Sequence, residues 1–317
     1  MTGVDGRKRG RRGKRGEQLM VPDAEFTSYY GKPILNAPVW TVPDIPGYLF
    51  LGGLAGLSSL LAAGGDLTSR PALARAAKLG AVGGGALSLV ALVHDLGRPM
   101  RFLNMLRVFK PTSPMSVGSW LLSAYVPAAG VAAAAAVTGR APRTGALATT
   151  GAATLGPAVA AYTATLLSDT AVPAWHDGYR ELPFVFVGSA AAAAGGLALL
   201  AVPTSQAHPA RHLAVFGTGV ELLALRRMRR RTGIVAETYE RDKAGKYLKV
   251  AEVLSVVGAA GAIVGRHNRV IGALSGTALL AASAATRWGI FHAGLISADD
   301  PKYTVVPQRE RLAARPS

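Results

Sequence analysis

Between Pro46 and Gly294 the chain alternates long apolar runs with short breaks rich in Pro, Arg or Asp. Eight such runs predict helices at about Pro46–Gly65, Ala76–Leu96, Val117–Thr138, Gly145–Ser168, Pro183–Pro203, His212–Leu225, Tyr247–Gly265 and Val270–Phe291. At roughly 1.5 Å per residue, a run of about 20 residues crosses a hydrocarbon core of ~30 Å. The sixth run is the shortest and reaches spanning length only if its helix begins near His208. The pattern predicts an all-α polytopic membrane protein with eight transmembrane helices, grouped as two four-helix bundles, over residues 46–294.

The flanks lack this pattern. Residues 1–19 are Gly and basic residues without apolar periodicity, which predicts a disordered tail. The Arg11-Arg12 pair resembles a twin-arginine signal, but no apolar stretch follows within reach. Met20 is an alternative start. Residues 20–45 hold aromatics and Pro22, Pro33, Pro38 and Pro43, and read as a lead-in lying along the membrane surface. Residues 295–317 read as an irregular cytoplasmic tail.

Composition sharpens the membrane reading. Half the residues are hydrophobic and only 17% are charged, against about a quarter in soluble domains. Small-xxx-small pairs (Gly52/Gly56, Gly80/Gly84, Gly261/Gly265, Gly272/Gly276) favour one closely packed helix assembly. The net charge of +17 would suggest nucleic acid in a soluble protein, but the basic residues gather at span edges, so they report topology instead and no nucleic-acid partner is expected. With eight spans, 26 Lys and Arg fall on the side of both termini and 8 on the other. The positive-inside rule then places both termini in the cytoplasm of a cell-membrane protein. The chain has no cysteine, so it offers no disulfide and no thiolate ligand for an iron–sulfur cluster.

The ionisable groups in or at the ends of the spans collect on that same side. His94 and Asp95 close the second span, Asp169 the fourth with Trp175 and His176 after it, and Arg287, Trp288 and His292 the eighth. Glu221 and Glu252 sit near the basic ends of the sixth and seventh, and Asn36, Trp40 and Asp44 precede the first. A transporter needs polar groups through the membrane or at its midplane. Polar groups at one depth beside an apolar interior suit a lipid-soluble molecule with a polar head, such as a quinone, whose reduction consumes protons that Asp, Glu and His can relay. Plainer readings stand beside these. Trp175 and Trp288 read as interfacial belt residues, and His208 and His212 as an interfacial pair. Glu221 can pair with Arg226 or Arg287, Glu252 with Lys249, and Asp95 with Arg98. His94 and His292 are the one pair that could hold haem, and haem is not expected. Arg98, Arg101, Arg107 and Lys110 stand among Phe102, Leu103, Met105, Leu106 and Phe109, a mixture suited to an acidic, partly apolar protein face or to lipid headgroups.

Three stretches carry a resemblance. His94 to Trp120 (HDLGRPMRFLNMLRVFKPTSPMSVGSW) is similar to the second-to-third helix connection of the NrfD/polysulfide reductase membrane-subunit family. Pro33 to Ser59 resembles that family's first helix and its lead-in, and Leu166 to Gly178 the end of its fourth helix. The resemblance implies an eight-helix membrane subunit of a molybdenum or tungsten oxidoreductase complex. Its partners would be a molybdopterin catalytic subunit and a ferredoxin-like iron–sulfur subunit, with electrons passing between the partner's clusters and menaquinone. The family's quinone pocket is built from the lead-in and the end of the second helix, which here bring Asn36, Trp40, His94 and Asp95. Where the family pattern has a His shortly after that Asn, Val39 and Trp40 stand. Asp169, His176 and Glu221 complete the expected quinone-binding or proton-relay set. Arg98, Arg101, Arg107 and Lys110 form the expected docking face. The Ala-, Gly- and Arg-rich composition favours a formate dehydrogenase-like complex over a polysulfide or thiosulfate reductase-like one. A proton or small-solute transporter and a passive membrane anchor are the competing functions.

Overall fold

The computed structural model describes residues 34–36 and 38–313. The basic tail assigned to residues 1–19, and the lead-in before residue 34, lie outside the described residues. Within them there is no strand. The elements are α1 (Asp44–Leu67), α2 (Pro71–Asp95), α3 (Arg101–Met105), α4 (Pro114–Thr138), α5 (Pro142–Ser168), α6 (Pro173–Asp177), α7 (Leu182–Ala201), α8 (His208–Arg231), α9 (Asp242–Val264), α10 (Arg269–Asp299) and α11 (Lys302–Ala313). A 3-10 turn at Gly233–Tyr239 joins α8 to α9. Prolines at the first or second position start α2, α4, α5, α7 and α8, where a missing N–H costs nothing.

Every predicted apolar run falls within one of the long helices to within two residues, and six of these helices are long and apolar enough to cross a membrane: α1, α2, α4, α7, α9 with its 3-10 extension, and α10. Helices α5 and α8 fall short of that apolarity. In α5 the deficit comes from threonines whose hydroxyls return to the preceding turn: Thr149 to Gly145 O at 2.8 Å, Thr150 to Ala146 O at 3.0 Å and Thr154 to Thr150 O at 2.8 Å. A hydroxyl bonded this way leaves no unsatisfied donor in an apolar medium. In α8 the deficit comes from the ends, since the helix extends the His212–Leu225 run back to His208 and forward to Arg231. Basic residues are good helix formers, so the helix continues where the apolar run stops.

Helix α1 packs against α2 and α5, and α4 against α2 and α5; α7 packs against α8 and α10, and α9 against α8 and α10. The two groups meet where α1 and α5 lie on α7 and α1 touches α10. Glycines set the closest approaches. A Cβ on Gly56 or Gly156 would run into the other's carbonyl, so α1 and α5 cross backbone to backbone, and Gly196 and Gly276 do the same for α7 and α10. Gly272, expected to pack closely, has open space beside it. Helix α7 is buried almost all round, whereas α2, α8, α9 and α10 expose Leu87, Val90, Phe216, Leu223, Val253, Val256, Val257, Val264 and Leu274. A soluble protein would cover such surface; lipid covers it here.

The expected irregular C-terminal tail is corrected by the structure. Helix α10 runs on to Asp299, Pro301 interrupts, and α11 follows. Asp300 Oδ1 accepts the Lys302 N–H at 3.1 Å, which starts the new helix as an N-terminal cap does. Tyr303 is buried and its hydroxyl accepts from Arg241 Nη1 at 2.9 Å, while Lys302 Nζ lies 3.0 Å from Glu237 Oε2. Those anchors hold the tail against the turn between α8 and α9.

Candidate functional site

The start of α1, the end of α2, the end of α5, α6, the end of α8, the start of α9 and the end of α10 are tied together at one end of the assembly. Thr41 reaches Asp95, the Ala174 N–H reaches Ser297 Oγ at 3.1 Å, and Arg231 pairs with Glu181 at 2.7 Å. Most of the polar groups singled out from the sequence therefore share one end; Glu221 and Arg287 lie further into the helices, and His208 and His212 lie at the other end.

Two clusters form there. In the first, Asp95 Oδ1 accepts both the Thr41 backbone N–H at 3.0 Å and its hydroxyl at 2.5 Å, and His94 Nδ1 lies 2.8 Å from Asp44 Oδ2. The end of α2 thus holds the segment that leads into α1. Asp95 takes its hydrogen bonds from Thr41 and not from Arg98, correcting the pair suggested by their spacing. In the second, Leu35, Asn36 and residues 38–40 lie over the turn after α5 and border a cavity of about 440 Å³ lined by Asn36, Pro38, Trp40, Thr170, Val172 and Trp175 among others. Trp40 stacks on Trp175 with ring centroids 5.6 Å apart and planes 25° apart. Trp175 is fully buried, correcting the belt reading; its Nε1 donates to Ile290 O at 2.8 Å and its ring meets Phe291 at 5.4 Å. Beneath the indole lies Gly294, where any Cβ would occupy the ring's own space. Helix α6 is held in turn by Tyr239, whose hydroxyl donates to Ala174 O at 2.5 Å; burial raises the pKa of that phenol above its ordinary value.

His94 and Asp95 do not line this cavity. They connect to it through Thr41, the neighbour of Trp40. Asp169 adjoins the lining residue Thr170, and His176 follows Trp175 with its Nδ1 at 3.0 Å from Ser168 O. Glu221 is apart from both clusters. It is buried, accepts from Thr286 Oγ1 at 2.6 Å and from Ser255 Oγ at 3.5 Å, and so links α8 to α9 and α10; of the two expected arginines, Arg287 interacts with it electrostatically, beyond ion-pair distance, and Arg226 forms no pair with it. Arg287 is itself fully buried, donates to Phe186 O at 2.8 Å and Leu49 O at 3.4 Å, and lies 3.8 Å over the Phe186 ring. Glu252 pairs with Arg229 at 2.7 Å instead of Lys249. Among the described residues, no three His, Asp or Glu gather as a metal site would require.

The Gly97–Gly118 connection folds back on α4. Ser116 Oγ takes the Lys110 N–H at 3.0 Å and donates to Val108 O at 3.1 Å, and Phe109 meets Trp120 edge-on at 6.4 Å. Met100, Leu103 and Phe109 remain more than half exposed beside the exposed Arg98, Arg101, Arg107 and Lys110.

The family described as polysulphide reductase, NrfD, matches residues 33–222, more than half of the chain. The chain belongs to the NrfD family. The match begins in the lead-in and takes in both clusters up to α6, so the cavity and the Asp95–Thr41 contact are built from matched sequence. NrfD proteins are membrane subunits of molybdopterin oxidoreductase complexes that interact with quinone, and they assemble with iron–sulfur and molybdopterin subunits. No curated protein matches the chain.

Proposed function

We propose that this NrfD protein is the quinone-interacting electron-transfer subunit of its complex, passing electrons between the clusters of a ferredoxin-like partner and menaquinone at the Trp40–Trp175 cavity. The observation that carries the reading is the cavity itself, with stacked indoles on one side, the Asn36 amide at its lip and a hydrogen-bonded Asp–His–Thr cluster one residue away. Flat apolar walls with a few polar groups suit a planar ring with carbonyl edges. Quinone contributes the exchange of two electrons and two protons. The chain's part is to bind, orient and exchange protons: the stacked indoles form one wall against the ring, Asn36 donates to a carbonyl, and Asp95 and His94, open to water, relay protons. Asp169 and His176 serve the opposite lip, and Glu221 stays outside the site as a tie between helices.

All eight long helices cross the membrane in this reading, as two groups of four, with both termini and the site in the cytoplasmic half. The exposed Arg98, Arg101, Arg107 and Lys110 surface, at the same end as the cavity, receives the iron–sulfur partner. The catalytic partner is formate dehydrogenase-like by composition, with polysulfide reductase as the alternative, a choice resting on analogy. Changing Asp95 to Asn keeps shape and removes the carboxylate that would carry a proton. An assembled Asp95→Asn complex should still reduce a soluble dye through its clusters while reacting slowly with menaquinone. Wild-type menaquinone turnover in both Asp95→Asn and His94→Ala would make the pair structural and favour a passive anchor.

A further inference from the structure

At the opposite end of the helices, between α8, α9 and the loop before α8, lies a second cavity of about 1050 Å³ that the quinone reading does not use. Its rim carries His208, His212, Arg266 and His267, and no Asp or Glu lines it. The rim is built rather than incidental. Arg211 Nη2 donates to Thr204 O at 3.0 Å and to Arg266 O at 2.8 Å, which fixes the loop before α8 to the turn after α9. That brace spends the Arg211 guanidinium on carbonyls and leaves the side chains of Arg266 and His267 exposed, with no hydrogen-bond or ion-pair partner among the described residues. The His208 and His212 rings stand 4.2 Å apart facing the same space.

The other wall is apolar. Val215, Phe216 and Ile263 line it, and Phe216 and Ile263 are 69% and 58% exposed. Phe216 follows His208 by eight residues, placing it about 12 Å further along the helix axis, towards the hydrocarbon. The cavity therefore has a cationic end at the helix termini and an apolar wall running into the membrane, open towards lipid. A free phosphate would match the first and leave the second uncovered. A zwitterionic lipid would match the second and bring an ammonium to a cationic rim.

We infer that this cavity holds one anionic phospholipid, its phosphate between Arg266, His267 and the two α8 histidines and an acyl chain along Phe216 and Ile263. The test uses the full chain in nanodiscs of phosphatidylcholine with one-fifth phosphatidylglycerol, followed by native mass spectrometry of lipids retained after detergent release. One phosphatidylglycerol should be retained in preference to phosphatidylcholine. Joint Arg266→Gln and His267→Gln substitution should lower that retention about tenfold, the loss of charge-assisted phosphate contacts. Joint Arg140→Gln and Arg143→Gln substitution, at the same membrane edge but outside the cavity, should leave it unchanged. A Phe216→Trp variant supplies a readout in otherwise unaltered protein: its added fluorescence should be quenched more by brominated phosphatidylglycerol than by brominated phosphatidylcholine. Equal retention of both lipids, an unchanged Arg266/His267 variant, or displacement of the bound lipid by millimolar inorganic phosphate would overturn the assignment.

Discussion

Replacing Gly294 by Ala adds one methyl group to α10 at the point where the Trp175 indole lies on the helix. The new Cβ would overlap Cε2, Nε1 and Cζ2 of that ring, so the indole must move. Phe291 closes one side of it and Ile290 O holds its N–H, which leaves displacement towards Trp40 and the cavity. Overpacking of this kind costs roughly 1–3 kcal/mol. Breaking the 2.8 Å bond to Ile290 O adds about 1 kcal/mol, because that carbonyl lies within α10 and is not left wholly unpaired. The protein should therefore lose about 2–4 kcal/mol of stability in detergent, read as a lowered unfolding midpoint. At the cavity, loss of one aromatic face is worth about 0.5–1.5 kcal/mol, which should raise the menaquinone KM some two- to tenfold while dye reduction by the assembled complex is unchanged. Joint Gly294→Ala and Trp175→Phe substitution should recover part of the stability, since the smaller ring vacates the space, but not the quinone affinity. A Gly294→Ala complex with wild-type stability and wild-type menaquinone KM would refute the claim that Trp175 is pinned between α10 and the quinone cavity.

Two further outcomes follow from charge. Reporter fusions after Arg315 and within residues 226–249 should both read as cytoplasmic and a fusion between Arg140 and Arg143 as external; an external C-terminus would remove the cytoplasmic docking face. Charge reversal at Arg101 and Arg107 should release the iron–sulfur partner from purified membranes with this subunit still inserted, whereas intact co-purification would assign that surface to lipid headgroups.

Hydropathy located the long helices because an apolar run in lipid has few alternatives to a helix. It misplaced their ends because helix propensity outlasts apolarity, as the Arg-rich end of α8 demonstrates. The three motif stretches, far apart in the chain, pointed to the lead-in, the end of α2 and the turn after α5 as neighbours, and the fold brings their described parts to one end of the helices. Individual partners were not legible. Asp95 has Arg98 three residues on, yet Thr41, 54 residues away, takes both bonds. Trp175 has the composition of a belt residue, and only the bare backbone of Gly294 opposite it explains its burial. Glu181, buried and held by Arg231 at 2.7 Å, carries no signal in the sequence, because a carboxylate near Pro183 gives no sign of a partner 50 residues on. Helix α11 was missed because its apolar residues are few and its anchors, Glu237 and Arg241, lie in another connection.

The central claim is that menaquinone occupies the cavity between the lead-in and the turn after α5. Photolabelling of the assembled complex in native membranes with an azido-menaquinone analogue, followed by peptide mapping, tests it most directly. Label should fall within residues 35–40 and 170–175 and be competed away by unmodified menaquinone. Competable label confined to other parts of the chain, or to a partner subunit, would contradict the account.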